Sequence, residues 1–244
     1  MNKSHLPLWV SNGTAFHRFA AYYAPAQESA LWQAGNHWLG LDPKSGQALL
    51  PSMPGPLPGP LHGVMDAPRR YGWHATLKAP FSLAPDVTRS ALHEAMRALG
   101  ALQRTFIMPS LKVQHIDNFL ALVPAQVSPE IQGVADACVM TLQPLAQVLP
   151  PSEVQRRRGS GLSDEQERML QQWGYPYVLK QFQFHMSLTG SLTGVSDQDV
   201  QLLMAQAQAI FEGLAPTRFD SVALVGEPFA GAAFKLLHRY PFSA

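Results

Sequence analysis

The sequence predicts an α+β fold built from two similar halves. A five-residue phrase of the form aromatic, His, any residue, hydroxyl, Leu occurs twice, at residues 73–77 (WHATL) and 184–188 (FHMSL). Both copies lie in apolar runs of bulky residues, which favour β-strands over helices. The order of strand, helix, motif strand, helix and hairpin in the first half is loosely echoed in the second. Together these observations indicate two pseudo-equivalent lobes within one domain.

We place that domain at residues 14–244, after an N-terminal tail at residues 1–13. The first-motif lobe is expected at about residues 16–125 and the second-motif lobe at about residues 126–244. Either each lobe keeps its own strands or the two lobes exchange them. A chain of 244 residues with 46% hydrophobic side chains is long enough to bury a sizeable core in this arrangement.

Glycine and proline residues in the sequence mark the boundaries of the first elements. Residues 16–24 are predicted to form a strand, and residues 29–40 a helix that ends at Gly40, since glycine is favoured at helix C-termini. Residues 51–60 contain five Pro and two Gly, which suit neither a helix nor a central strand, so they should form an extended loop. That loop is either a passive connector or a lid, because it leads within a few residues to the motif strand predicted at residues 73–83.

The remaining elements follow from periodicity and capping signals. Ser163 and Gln166 form a capping-box pattern that sets the start of one helix, and Asp117-Asn118 marks a hairpin turn. The predicted helices are 88–102, 129–149, 152–158, 163–173 and 196–211, and the predicted strands are 106–115, 119–123, 177–192, 218–225 and 233–240.

Charge, cysteine content and the N-terminal segment give an expectation for partners and location. The formal net charge is +1, which provides no general attraction to nucleic acid. A single cysteine, Cys138, excludes an intrachain disulfide and fits a reducing compartment. The short apolar run at residues 6–10 is too brief for a signal-peptide core, and no stretch approaches the length of a membrane span. We therefore expect a cytoplasmic location and no membrane partner; the oligomeric state is left open.

The usual sequence markers of several enzyme classes are absent from this sequence. The chain has no His-x-His, no His-Glu-x-x-His and no cysteine cluster, so a metal site has little support and no cofactor is expected. It also lacks the Gly-x-x-x-x-Gly-Lys-[Ser/Thr] loop of ATP-driven enzymes and the Gly-x-Ser-x-Gly elbow of serine hydrolases.

If the two motif strands lie side by side, they bring together the groups needed for metal-free phosphoryl chemistry. Because side chains alternate along a strand, His74 shares one face with Thr76, and His185 shares one with Ser187. Imidazole titrates near neutral pH, so one histidine can accept a proton from water while the other donates one to a leaving oxygen. The two hydroxyls can donate to non-bridging phosphate oxygens. The alternative for either histidine alone is a structural role on an apolar strand.

At these residues the chain resembles the two-histidine (2H) phosphoesterase superfamily, whose members carry two His-x-[Ser/Thr] motifs on a duplicated, bilobal α+β scaffold. Four longer segments resemble a narrower branch that is encoded beside phosphonate-degradation genes, and the match extends from about residue 16 to 242. These segments are 69–81 (RRYGWHATLKAPF), 173–177 (WGYPY), 184–190 (FHMSLTG) and 236–241 (LLHRYP). The second motif has Ser187 where Thr is common, which preserves the hydroxyl. The resemblance implies antiparallel sheets with outer helices around a central cleft.

The resemblance also implies the reaction class, a phosphodiesterase acting on cyclic phosphodiesters or 2′-5′ linkages. A cyclic phosphate of ribose or a related phosphoribosyl compound is one substrate; a nucleoside 2′,3′-cyclic phosphate or an RNA end competes with it. Two alternatives of other kinds stay open: a non-catalytic protein that binds a phosphorylated ligand or RNA end, and an RNA 2′-5′ ligase-like enzyme.

Further residues are candidates for substrate binding. Lys78 shares strand parity with His74 and Thr76, so its ammonium either holds a phosphate or extends to solvent. The candidate arginines either make bidentate hydrogen bonds to a second phosphate or lie at a solvated helix end. The candidate tyrosines either stack on the substrate or have a packing role. These lower-ranked candidates are Lys78, Tyr71, Arg70, Arg157, Tyr175 and Tyr177.

Overall fold

The computed structural model describes residues 6–11, 15–40, 63–159 and 161–243. Within those ranges the fold is α+β, as predicted. The helices are α1 Leu8–Ser11, α2 Ala30–Leu39, α3 Asp66–Tyr71, α4 Arg89–Leu102, α5 Pro129–Leu142, α6 Pro151–Arg158, α7 Asp164–Trp173 and α8 Asp197–Phe211. The strands are β1 Arg18–Tyr23, β2 Ala75–Phe81, β3 Phe106–Ile107, β4 Leu111–Ile116, β5 Phe119–Pro124, β6 Met186–Ser187, β7 Arg218–Phe219, β8 Ser221–Glu227 and β9 Lys235–Pro241.

Seven of the described strands form one antiparallel sheet in the order β4-β5-β6-β2-β1-β8-β9. Strand β5 from the first half of the chain pairs with the second-motif strand β6 and β4 lies beyond it at the edge, whereas β8 and β9 from the second half extend the sheet beyond β1. Each side of the sheet therefore mixes strands from both halves of the sequence. The division into two lobes remains a prediction, and this interleaving is the pattern that exchanged strands would produce.

The main core fills the helix-covered face of the sheet. Helix α5 packs against β2, α8 packs against β4, and α4 lies between α5 and β9. The residues between the polar members of each motif, Ala75 and Met186, point into this core and are almost completely buried. A smaller apolar cluster that includes Tyr22 and Phe234 lies apart from the main core.

Capping chemistry sets several helix ends where the sequence predicted them. The Ser29 hydroxyl accepts from the Trp32 amide at the start of α2, and Gly40 ends that helix in the left-handed region with a φ of 62°. The predicted capping box of Ser163 and Gln166 is formed at α7. The hairpin of β4 and β5 turns at Asp117-Asn118 as predicted, with Asp117 at a φ of 47°.

Four sequence predictions about local structure are wrong. The second motif strand has two residues instead of sixteen, because a 3-10 helix at Leu179–Gln181, with Leu179 at a φ of 52°, interrupts the extended chain. Strand β3 leaves the predicted hairpin and pairs with β7. Helix α5 ends at Leu142, where Pro144 in the following 3-10 turn cannot donate a helical hydrogen bond. Part of the expected N-terminal tail forms α1, whose Trp9 is buried against Phe19.

The loop predicted at residues 51–60 lies outside the described residues, so its role as connector or lid remains a prediction. Within the described ranges, no helix combines the length and apolar character needed to cross a bilayer.

Helix α2 holds both motif segments. Gly35 faces the indole of Trp73, and a Cβ atom at this position would lie 2.1 Å from the ring. One turn further, the Trp38 Nε1–H donates to the carbonyl oxygen of Leu188 at 2.7 Å. The residue before the first histidine and the residue after the second hydroxyl are thus attached to one helix.

Substitution Gly35→Ala is expected to destabilise the protein by about 2 kcal/mol or more, because the methyl group must displace a buried indole. The matched control is Gly133→Ala on α5, where a Cβ atom meets nothing within 4 Å. That control should gain about 0.5–1 kcal/mol from helix propensity. Urea unfolding of both variants checks the prediction, and equal free energies of unfolding would contradict it.

Candidate active site

One antiparallel pair of strands brings the two motifs together. Strand β2 pairs with β6 through Ala75 opposite Met186. Extending that register by one residue in each direction places His74 opposite Ser187 and Thr76 opposite His185. Because Ala75 and Met186 point into the core, these four polar residues share the other face of the sheet. The two histidines occupy diagonal positions, for which Cα atoms lie about 7–8 Å apart.

The backbone orients both imidazoles in the same way. The Nδ1 of His74 lies 2.8 Å from the carbonyl oxygen of Gly72, and the Nδ1 of His185 lies 2.9 Å from that of Gln183. A carbonyl only accepts hydrogen bonds, so Nδ1 carries the proton in both rings. In the neutral state Nε2 is therefore the basic nitrogen of each ring. The Nε2 of His74 lies 3.1 Å from the Thr76 hydroxyl, which donates to it.

The two rings differ in their surroundings. His74 stacks on Tyr22, with ring centroids 3.7 Å apart and an interplanar angle of 22°. His185 meets Phe119 at 5.6 Å with its ring tilted by 59°. Burial lowers the pKa of His74 to about 4, opposed by the Gly72 hydrogen bond and assisted by the charge of His185. Burial also lowers the pKa of His185 below its ordinary value of 6.5. Both rings are neutral at pH 7 in the free protein.

The motif residues open into two adjoining cavities. The first, of about 510 Å³, is lined by His74, Thr76 and Ser187, and the second, of about 490 Å³, is lined by His185 and again by Thr76. Tyr175 and Tyr177, both predicted as substrate contacts, border the two cavities. A phosphate between the histidines would thus have space on either side.

Lys78 does not lie with the motif residues. Its ammonium donates to the Gln143 side chain and, at 3.2 Å, to the carbonyl oxygen of Trp173. The side chain is 3% exposed and lines a separate cavity of about 370 Å³. Lys78 was predicted to share a strand face with His74 and Thr76. It does not, because the register of β1 and β2 shifts by one residue between Thr76 and Lys78. Burial lowers the pKa of Lys78 to about 8.

Arg70 is held by a buried carboxylate instead of facing the first cavity. Its Nη2 donates to Glu227 at 2.5 Å and its Nε to the carbonyl oxygen of Ala232 at 3.2 Å. Arg18 donates through Nε to the other Glu227 oxygen at 2.6 Å. Glu227 is completely buried, and its two arginine partners and the Gly231 amide keep its carboxyl pKa low against the effect of burial.

Arg157 and Tyr71, both predicted as substrate contacts, line the first cavity. Arg157, however, is occupied by protein groups, since it donates to Glu153 at 2.8 Å, to Pro80 O at 3.2 Å and to Gly174 O. Tyr71 stacks on Phe234 with ring centroids 5.4 Å apart. Arg157 therefore shapes the wall, while Tyr71 is one of its accessible aromatic surfaces.

Sequence reasoning missed several residues of this site. Tyr22 and Arg18 line the first cavity, and Glu227 anchors Arg18. Thr189, which also lines it, accepts from the Leu120 amide and so replaces a strand hydrogen bond beside the short β6. Tyr22 had one usable signal, since a strand at residues 16–24 next to the motif strand would place an aromatic ring near a histidine. The pairing of Arg18 with Glu227 spans 209 residues and has no local signature.

Within the described residues, no group of three or more His, Cys, Asp or Glu side chains is arranged to hold a metal ion.

Comparisons with known proteins place the chain among relatives about twice its length. A family model described as "Protein of unknown function (DUF1045)" matches residues 76–235. The ribose 1,5-bisphosphate phosphokinase PhnN of Janthinobacterium sp. (strain Marseille) is 35% identical over 246 residues, 98% of this chain and 53% of that protein. The protein of the same name from Laribacter hongkongensis (strain HLHK9) is 34% identical over 219 residues, 90% of this chain and 50% of its own length. The chain spans about half the length of the curated relatives it matches.

Solved structures with a similar course of the chain include a phosphoesterase, with 12% identity and a TM-score of 0.47, covering 94% of this chain and 100% of that one. The structure of E. coli LigT with NADP+ has 10% identity and a TM-score of 0.45, covering 94% of this chain and 99% of that one. Identities and scores this low carry no inference about chemistry.

The buried His74 should make stability depend on pH. Its pKa is lowered in the folded protein. Between pH 6.5 and about pH 4, His74 is therefore protonated in the unfolded chain but neutral in the folded protein. Stability should therefore be lost on acidification across that window, with His74 contributing on the order of 2 kcal/mol. Urea unfolding at pH 7 and pH 5 should show a smaller loss for His74→Gln than for the native protein. Identical losses would assign the pH dependence to other groups.

Proposed function

The chain belongs to the DUF1045 family of proteins of unknown function, and we propose that it is a metal-independent phosphodiesterase that hydrolyses a cyclic phosphodiester. One observation carries the proposal. The pairing of Ala75 with Met186 sets two histidine and hydroxyl pairs around a common centre, and both imidazoles are oriented through Nδ1 by a backbone carbonyl. The motif resemblance to two-histidine phosphoesterases supports the same reaction class.

The proposed mechanism needs only side chains of this site. One neutral imidazole takes a proton from water through Nε2 as the water oxygen attacks phosphorus, while the other, protonated, gives its proton to the departing alkoxide. The new P–O bond forms as the opposite P–O bond breaks. Thr76 and Ser187 donate to non-bridging oxygens and stabilise the charge that gathers there. The separation of about 7–8 Å between the diagonal positions leaves room for a phosphate between the rings.

The substrate we favour is a phosphoribosyl cyclic phosphate. The curated relatives are named for ribose 1,5-bisphosphate. Each contains a segment that resembles this chain and a further segment that this chain does not match. Opening a ribose 1,2-cyclic phosphate 5-phosphate at the bond to O2 leaves ribose 1,5-bisphosphate, the compound in that name. This would place the reaction just before the kinase step, in phosphonate breakdown. The kinase activity itself finds no support in this chain, because its sequence lacks a phosphate-binding Gly-x-x-x-x-Gly-Lys-[Ser/Thr] loop.

The proposed catalysis requires both histidines. His74→Ala and His185→Ala should each lower turnover about a thousandfold or more, since each removes one proton-transfer step. Activity should persist in EDTA. The measurement is release of phosphomonoester from ribose 1,2-cyclic phosphate with and without a 5-phosphate, nucleoside 2′,3′-cyclic phosphates and a 2′-5′ dinucleotide.

The matched control is His115→Ala, which removes an exposed histidine on β4 and should leave turnover unchanged. Turnover that disappears in EDTA would overturn the metal-free mechanism. Binding of these compounds without turnover would instead favour a ligand-binding protein. Turnover of nucleoside cyclic phosphates alone would indicate that the substrate is an RNA end.

The rate should depend on pH through the coupled pair of imidazoles. Both pKa values are lowered below 6.5 in the free protein, so kcat/KM should form a bell with its maximum below about pH 6.5. A bound phosphate favours the imidazolium form, so the kcat profile should lie at higher pH. Initial rates from pH 4 to 9 test this, and a rate that rises monotonically from about pH 5 to 9 would contradict it.

A further inference from the structure

The first cavity is basic although the whole chain is nearly neutral. Of the described residues that line it, three are arginines, namely Arg18, Arg156 and Arg157, and none is Asp or Glu. The formal net charge of the chain is only +1. Positive charge is therefore gathered at this wall, where it would attract an anionic ligand.

The ion pairs behind the wall compensate only part of this charge. Arg18 and Arg70 share the single carboxylate of Glu227, at 2.6 and 2.5 Å. In the second cluster, Arg156 and Arg157 share that of Glu153, at 2.5 and 2.8 Å. Each cluster contains two guanidinium groups and one carboxylate, so each has a net charge of +1. Together they match the double negative charge of a phosphate monoester.

Two of the four guanidinium groups are paired with a carboxylate but keep other N–H donors that can reach a ligand. Arg157 and Arg70 are tied to backbone carbonyls as well as to carboxylates. Within the described part of the chain, Arg18 contacts Glu227 through Nε, so its two Nη atoms remain as donors. The Arg156 side chain, at the end of α6, is 66% exposed and contacts only Glu153 within that part of the chain.

Tyr71 lines the same cavity as these two groups. The Arg18 guanidinium lies 5.9 Å from the Phe234 ring on which Tyr71 stacks. All three residues line the cavity that also contains His74 and Thr76. A ligand bound at His74 in this cavity therefore shares the cavity with this cluster.

We propose that Arg18, Arg156 and Tyr71 form a second anion subsite, which selects substrates carrying a phosphate monoester in addition to the phosphodiester that is cleaved. The subsite rests on the proposed function, because it acts on the part of the substrate that does not react. Guanidinium groups bind phosphate oxygens by charge-assisted hydrogen bonds, and the tyrosine hydroxyl supplies a further donor. The subsite would fix the sugar so that its diester lies between His74 and His185.

The experiment compares ribose 1,5-bisphosphate with ribose 1-phosphate by calorimetric binding to the full chain. The native protein should bind the bisphosphate at least about tenfold more tightly, as expected for charge-assisted hydrogen bonds. Arg156→Gln should reduce that preference about tenfold. The matched control is Arg158→Gln, two residues further on α6, which loses a surface pair with Glu167 and should keep the native preference.

The outcomes separate the subsite from the reaction. A bisphosphate preference that Arg156→Gln leaves unchanged would overturn the subsite, even if cyclic phosphodiesters are hydrolysed. A preference that depends on Arg156 in a protein that hydrolyses none of them would support the subsite and overturn the proposed reaction. A preference reduced equally by Arg158→Gln would show a diffuse charge effect and would also overturn the subsite.

Discussion

The pairing of β2 with β6 is the interaction on which the site depends. It consists of one residue pair, Ala75 and Met186, yet it sets which side chains of two distant segments face each other. A single residue pair is too short to fix the relative position of the two strands. Helix α2 supports it from behind, through the close contact of Gly35 with Trp73 and the hydrogen bond from Trp38 to Leu188. The precision of the polar face is thus provided by packing on the apolar face.

Burial and charge act in opposite directions across this site. Desolvation keeps His74 and His185 neutral, which suits a base but not an acid. An anion bound between them would raise both pKa values, so that one imidazole could take up from solvent the proton that the acid requires. The arginine clusters around Glu227 and Glu153 lie beside the site and would attract such an anion. Substrate binding and the activation of the histidines would therefore be coupled.

Much of the architecture follows from local signals. The caps at Ser29 and Ser163 and the turn at Asp117 set the ends of elements through hydrogen bonds within a few residues, so they could be predicted. The length of β6 could not, because an apolar run is compatible with both strand and irregular chain. Its limits depend on the 3-10 helix at Leu179–Gln181 and on the Thr189 side chain replacing a ladder bond. The orientation of Lys78 was likewise decided by a register shift against β1.

By itself, the sequence determined the chemical groups of the site, because the duplicated phrase containing His74, Thr76, His185 and Ser187 is a local pattern and strand alternation puts each pair on one face. Only the tertiary structure decided how the two pairs meet, which cavity each histidine faces, and which arginines are free. Those properties depend on contacts such as that of Arg18 with Glu227, 209 residues away. Alternation along a strand is a property of a few neighbouring residues, whereas the register between strands and the partners of a buried charge are set only when the whole chain packs.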